Sequence, residues 1–320
     1  MLVDPFSMEL IRGLHNLREE HRGCAVTVGA FDGIHLGHQG VLEHLKDKAT
    51  ALGLPSTVIV FEPLPREYFR PLEAPPRITN FRERLTYLAE TGVDRVLVLS
   101  FDESLREMSA EQFIRRVFVD GLGAEYIALG DDFRFGNSRE GDFAFAQAMS
   151  EKFGYEVHQT STIELAGERV SSTRIREALA AGEFQEAARL LGRSYTMTGR
   201  VEHGRKLGRE LGSPTANIRI GRIRSPLAGV YVVLATGAGL EGAPGVANVG
   251  TRPTVDDSLQ ANLEVHILDM DRDFYGQRLT VEFLCKLREE KKYASLDALK
   301  TGIAHDIEQA RAWLSEHGIH

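Results

Sequence analysis

Four apolar runs space out the first half of this 320-residue chain. They are Cys24-Ala25-Val26-Thr27-Val28, Thr57-Val58-Ile59-Val60-Phe61, Arg95-Val96-Leu97-Val98-Leu99 and Tyr126-Ile127-Ala128-Leu129. A run without polar alternation is the signature of a strand buried on both faces. Helical patterns separate these runs. The first places Val41, Leu42, Leu45, Ala49 and Leu52 on one face, and others cover 81–90, 110–119 and 143–153. Strands alternating with helices fold as a parallel sheet with right-handed crossovers. Ligands then bind at the carboxyl ends of the strands. Residues 29–38, Glu62 and residues 130–136 each follow such a run directly.

After Arg193 the pattern changes. Short alternating strands are predicted at 196–202, 229–235, 245–249, 261–268 and 279–285, divided by Gly- and Pro-rich loops. This reads as a small antiparallel barrel. A terminal helix over 295–315 follows, with Leu296, Leu299, Ile303, Ile307 and Trp313 as candidate core residues. Residues 183–192 read as the last helix of the first domain or as a linker. The expected division is 1–190 and 191–320, with a fragment from about Arg193 folding alone.

Composition narrows the class. Hydrophobic residues at 42% and charged residues at 26% are ordinary for a soluble globular protein. A net charge of −8 argues against general nucleic-acid binding, which needs a basic surface. No apolar run approaches the roughly 20 residues that span a bilayer, and the N-terminal residues lack the order of a signal peptide. Two cysteines, Cys24 and Cys285, make no disulfide framework, so a reducing cytoplasm is expected. No partner chain is demanded; a monomer or transient homo-oligomer is expected.

The chemistry concentrates at Gly29-Ala30-Phe31-Asp32-Gly33-Ile34-His35-Leu36-Gly37-His38. Two histidines stand three residues apart where a strand gives way to a helix. That is nearly one helical turn, so both imidazoles can point the same way. Glycine lets a ligand approach the backbone, and N–H groups at a helix start favour an anion. A single histidine there would ordinarily be a surface or capping residue. The combination suits a nucleotide triphosphate. A zinc site is disfavoured because no further ligands stand at zinc spacing.

In this order the motifs resemble the bacterial bifunctional riboflavin kinase/FAD synthetases, within the wider H-x-G-H nucleotidyltransferase superfamily. The resemblance continues through Phe61-Glu62-Pro63, Gly130-Asp131-Asp132-Phe133-Arg134-Phe135-Gly136 and Ser171-Ser172-Thr173-Arg174-Ile175-Arg176. It extends over Gly208-Arg209, Pro214-Thr215-Ala216-Asn217, Gly250-Thr251-Arg252-Pro253-Thr254, Glu264-Val265-His266 and Tyr275-Gly276, and so runs from about residue 20 to about 312. It implies a Rossmann-like α/β nucleotidyltransferase domain followed by a small antiparallel β-barrel riboflavin kinase domain with a C-terminal helix.

The resemblance also implies roles. Gly29, Phe31, Asp32, Gly37, Ser171, Ser172 and Thr173 would bind ATP, with His35, His38 and Arg176 acting on its phosphates. Glu62, Asp132 and Phe133 would contact the flavin, while Phe135 is equally readable as a core residue. In the second half Glu264 matches the catalytic base. Gly208, Arg209, Thr215 and Asn217 would hold ATP, the last two with Mg²⁺. Independently, alternation over 262–268 puts Leu263, Val265 and Ile267 on one face and Glu264 and His266 on the other. The chain departs from the family at Leu64, where His or Gln is usual, and at Ser213, where a bulky residue is usual. Two decoys fail on context. Gly237-Ala238-Gly239-Leu240-Glu241-Gly242 fits a dinucleotide-binding pattern but reads as a hairpin loop. Asp269, Asp271 and Asp273 begin like a calcium loop but lack its glycine and terminal glutamate.

Overall fold

A computed structural model describes residues 8–203, 215–253 and 259–319. In chain order the elements of the first half are β1 (Glu9–Arg12), β2 (Cys24–Val28), α1 (Leu36–Leu52), β3 (Ser56–Glu62), α2 (Pro65–Phe69), α3 (Phe81–Glu90) and β4 (Arg95–Ser100). They continue with α4 (Glu103–Arg106), α5 (Ala110–Phe113), β5 (Ala124–Gly130), α6 (Phe143–Phe153), β6 (Glu156–Thr160), β7 (Glu164–Leu165) and β8 (Glu168–Arg169). The six strands β1 to β6 form one parallel sheet in the order β1-β4-β3-β2-β5-β6. The expected helix over 110–119 is present, but after α5 it widens into a π-helical stretch, Ile114–Val119.

Both faces of the sheet are covered, which is why its central strands carry no polar alternation. On one face Val26, Val28, Ile59, Leu97 and Ile127 pack with Phe113, Ile114 and Phe118. On the other, Ala25, Val58, Val60, Val96 and Ala128 pack with Leu42, Leu45 and Ala49 of α1 and Leu88 of α3. Leu52, expected on the buried face of α1, is instead exposed in its last turn. The edge strands β1 and β6 lie outside the predicted set.

The second half contains α7 (Ser172–Ala181), α8 (Phe184–Leu191), β9 (Thr196–Glu202), β10 (Ala216–Arg219), β11 (Gly229–Gly237), β12 (Leu240–Pro253), β13 (Leu259–Ile267), β14 (Arg278–Arg288) and α9 (Leu296–Glu316). The six strands close an antiparallel barrel in the order β10-β13-β12-β11-β14-β9. β11 and β12 are joined by a tight turn at Ala238 and Gly239, as the hairpin reading required. Asp269, first of the calcium-loop decoys, is ion-paired with Arg311. α9 lies on the outside of the barrel, with Ala310 and Leu314 against Val230, Val232 and Val246. Leu296 is not a core residue: it is 60% exposed in the first turn of α9. Asp306 takes the buried seam instead, ion-paired with Arg288 at 2.6 Å.

The chain divides into two compact units, 1–74 with 81–171 and 75–80 with 172–320. Helix α8 therefore belongs with the barrel: the buried ring of Phe184 packs on Tyr231 and Phe283 at 5.8 and 6.1 Å. Residues 75–80 belong there as well. Ile78 is fully buried, and its carbonyl accepts from Tyr195 Oη (3.2 Å) and Arg222 Nη2 (2.8 Å). Asn80 Nδ2 donates to the carbonyls of Thr198 and Ile220. A six-residue strap thus reaches the barrel's unit from more than a hundred residues upstream.

Candidate active site

In the first unit the strand order changes direction between β2 and β5. The carboxyl ends of the two strands at such a switch point are the usual ligand position in an open parallel sheet. Residues 29–38 leave β2 and residues 130–136 leave β5, so both expected loops flank this point. Phe31, Gly33 and Ile34 all have positive φ, at 46°, 91° and 42°. Such a conformation costs a non-glycine residue on the order of 1–3 kcal/mol and persists only when packing enforces it. Here the side chains of Phe31, Asp32, Ile34 and His35 are all buried.

His35 and His38 come together as their spacing predicts. Their rings stack with centroids 3.7 Å apart and planes 16° from parallel, and Phe31 tilts against His38 at 5.0 Å. His35 is also the cap of α1: its Nδ1 accepts from the His38 backbone N–H at 3.3 Å. An Nδ1 that accepts carries no proton, so the His35 proton sits on Nε2. The capping reading and the ligand reading are therefore compatible. Gly37 permits the stack, because a Cβ there would lie 3.0 Å from the His35 ring and 3.2 Å from the Val170 carbonyl. Val170 immediately precedes Ser171, so the first unit brings Ser171 close to this loop. Ser172, Thr173 and Arg176 belong to the second unit, where Arg176 Nε donates to the Pro76 carbonyl at 2.7 Å.

Glu62 ends β3 and accepts from Arg84 Nη2 at 2.6 Å. Arg84, on α3, is buried and also donates to the carbonyls of Ala30 (3.0 Å) and Phe61 (3.1 Å). One guanidinium thus ties the loop after β2 to the end of β3. The sequence reading missed it. Leu64, the departure from the family pattern, stands at the N-cap position of α2 and donates its backbone N–H to Glu67.

On the loop after β5, Asp132 is exposed and pairs with Arg169 at 3.2 Å. Asp131 accepts from the Thr162 hydroxyl and from Arg169, and in that order these hold its carboxyl below the usual carboxylate range. Arg169 so offsets two acids on the loop at the carboxyl end of β5. Phe133 is half-buried against the core, and Phe135 is buried within it. A further aromatic surface lies at the carboxyl ends of β3 and β4. Tyr68, exposed Phe69 and Phe101 meet edge to face at 5.4 to 5.8 Å. Its signal was present in the sequence as aromatics directly after two buried strands.

In the second unit, burial alternates along β13: Leu263, Val265 and Ile267 are buried while Asn262, Glu264 and His266 are half-buried. Register sets Glu264 directly between Asn217 of β10 and Asn248 of β12, and Asn217 opposite Glu202 of β9. Directly opposed residues share a face, so Glu202, Asn217, Glu264 and Asn248 form one polar row across four strands. Asn262 Nδ2 donates to Glu264 Oε1 at 3.0 Å. Thr215 enters β10 two residues before Asn217. Gly208, Arg209 and Ser213 lie outside the described residues.

Two family models match the chain: FAD synthetase over residues 17–174 and riboflavin kinase over residues 191–314. A bifunctional riboflavin kinase/FMN adenylyltransferase of Pseudomonas fluorescens is 53% identical over 305 residues, covering 95% of this chain and 97% of that protein. The enzyme of the same name from Escherichia coli (strain K12) is 46% identical, with the same coverage. Among solved structures, a Streptococcus pneumoniae protein described as a macrolide-efflux protein superposes with a TM-score of 0.73. Its identity is 30%, covering 96% of this chain and 100% of that one. Among the described residues here, no helix is long and apolar enough to cross a membrane.

Proposed function

The chain belongs to the bifunctional riboflavin kinase/FMN adenylyltransferase family, and from that premise we propose how its residues divide the work. The enzyme phosphorylates riboflavin to FMN, releasing ADP, and adenylylates FMN to FAD, releasing pyrophosphate. Adenylylation is assigned to the parallel-sheet unit and phosphorylation to the barrel unit, whose helices α7 and α8 begin before the expected boundary at 190, in a reducing cytoplasm. Neither reaction as proposed needs nucleic acid or a stable partner chain.

For adenylylation, the FMN phosphate attacks the α-phosphorus of ATP. Positioning and charge stabilisation suffice, with no covalent nucleophile. His35 donates from Nε2 to a phosphate oxygen, and the stacked His38 lies beside it. Gly29, Phe31, Asp32 and Gly37 shape the loop that admits the nucleotide. Ser171, Ser172, Thr173 and Arg176 are proposed as further phosphate ligands on the family resemblance alone. The flavin contacts are Glu62, Asp132 and Phe133, with the aromatic surface of Tyr68, Phe69 and Phe101 offering flat apolar contact to a ring system. The stacked histidine pair at the change of strand direction carries this half of the proposal.

For phosphorylation, Glu264 takes the proton of the riboflavin 5′-hydroxyl as that oxygen attacks the γ-phosphorus. The Thr215 hydroxyl and Asn217 amide oxygen are hard donors, suited to Mg²⁺ held jointly with ATP phosphates. When bound, Mg²⁺ would neutralise charge on the phosphates. Gly208 and Arg209 are retained as ATP ligands on the resemblance.

One assay tests both halves: riboflavin, ATP and Mg²⁺ are incubated with the full chain and the flavins are separated by chromatography. His35→Ala with His38→Ala should abolish FAD while FMN still accumulates. Glu264→Gln should lower FMN formation by about 10²–10⁴-fold yet spare FAD synthesis from supplied FMN. Equal loss of both activities in a folded variant would sink the division. Near-normal riboflavin phosphorylation by Glu264→Gln would move the base elsewhere, His266 being next on the same face.

A further inference from the structure

We propose that Asn262 is a positioning residue for the kinase reaction, holding the Glu264 carboxylate in its proton-accepting orientation. The inference rests on Glu264 being the base. A glutamate on a strand has three side-chain torsions, so a rigid backbone alone does not aim its carboxylate. The Asn262 amide does, by donating to Oε1 at 3.0 Å. The two residues are i and i+2 on β13, which is paired with β12 on one side and β10 on the other. Donor and acceptor therefore stand on a frame that cannot slip without breaking two ladders.

The position opposite Asn262 on β12 is Gly250, which presents no side chain to compete for the amide. The space a side chain would use there is taken by the Glu290 carboxylate. The charged groups around Glu264 are thus mixed. His266 shares its strand face, Glu202 stands two strands away in its row, Arg219 pairs with Glu202 at 3.4 Å, and Glu290 lies over Gly250. Asn262 supplies an aiming hydrogen bond without adding charge to a site that must admit ATP.

The test is the steady-state kinetics of riboflavin phosphorylation by the full chain. Asn262→Leu keeps the size and removes the donor. Asn262→Asp replaces the donor with a carboxylate, and Asn262→Ser restores a shorter donor. Loss of one hydrogen bond that aims a charged group should lower kcat roughly tenfold. Asn262→Asp should lower it further, and Asn262→Ser should recover part of it. The KM for riboflavin should change less than twofold, which shows that the barrel's substrate site is intact. A parent-like kcat for Asn262→Leu overturns the proposal, as does a loss carried by KM and not by kcat. Glu264→Gln separates the two readings. If it abolishes turnover while Asn262→Leu leaves kcat unmoved, only the role of Asn262 fails. If Glu264→Gln stays active, the base assignment fails first.

Discussion

Arg84→Met should destabilise the first unit by about 3–4 kcal/mol and slow FAD synthesis without slowing FMN synthesis. Methionine approximates the volume of the stem, so little cavity forms, but the donors to Ala30, Phe61 and Glu62 vanish together. Removing one partner of a buried ion pair typically costs about 3–5 kcal/mol. The Glu62 side chain is 32% exposed, which lets water relieve part of that cost. The two orphaned carbonyls add back a fraction each. In a unit of this size about 1 kcal/mol shifts the midpoint by about 2–4 °C, so calorimetry should record a fall on the order of 10 °C in its transition. Adding Glu62→Leu removes the stranded carboxylate and should recover a large part of the loss in stability, though not of activity. A single variant within about 1 kcal/mol of the parent would refute the view that this guanidinium braces the nucleotide loop. So would FAD and FMN rates falling in parallel.

Two further outcomes are expected. A fragment of residues 193–320 lacks Phe184 and the rest of α8, and loss of a buried Phe costs about 3–5 kcal/mol. It should melt on the order of 10 °C below a fragment of residues 172–320; coincident melting would show that the barrel needs neither α7 nor α8. Acidification should weaken the first unit through His44, whose ring accepts or donates to Tyr126 Oη at 2.9 Å and stacks on His158. Burial, then the nearby His158 and Lys48, pushes its pKa below the ordinary histidine value. The unfolded chain therefore binds the proton first, and stability is lost as pH falls through about 6.5 and below. His44→Gln should flatten melting temperature against pH in that window; an unchanged slope would exclude His44 as the source.

What the sequence disclosed follows from where each signal comes. Strands β2 to β5 were legible because burial on both faces leaves mainly apolar runs with no polar alternation. The edge strands β1 and β6 were not, because Glu-Leu-Ile-Arg and Glu-Val-His-Gln-Thr pair on one side only and stay largely exposed. The helices were placed correctly, but their buried faces were misjudged where charge and burial part company. Arg84 reads as a surface residue until its buried acceptors are known, and Asp306 reads as solvent-facing until Arg288 is found beside it. Leu296 reads as core although α9 reaches the barrel only further along. Helix α8 sits next to the first domain in sequence, but Phe184 finds its partners on β11 and β14. In the candidate sites the histidine spacing and the alternation around Glu264 were readable locally. The row from Glu202 to Asn248 was not, since register across four strands is invisible in any one of them.

The strap of residues 75–80 imposes an order on synthesis. Its anchors, Tyr195, Thr198, Ile220 and Arg222, are made more than a hundred residues later. At ribosomal rates of about 5–20 residues per second, the parallel sheet can assemble while Ile78, an aliphatic side chain that ends fully buried, still waits in water for the strands that will cover it. For those seconds the nascent chain carries Ile78 exposed, along with Arg77, Thr79 and Asn80, polar residues that also end buried and take their places only once the barrel strands exist.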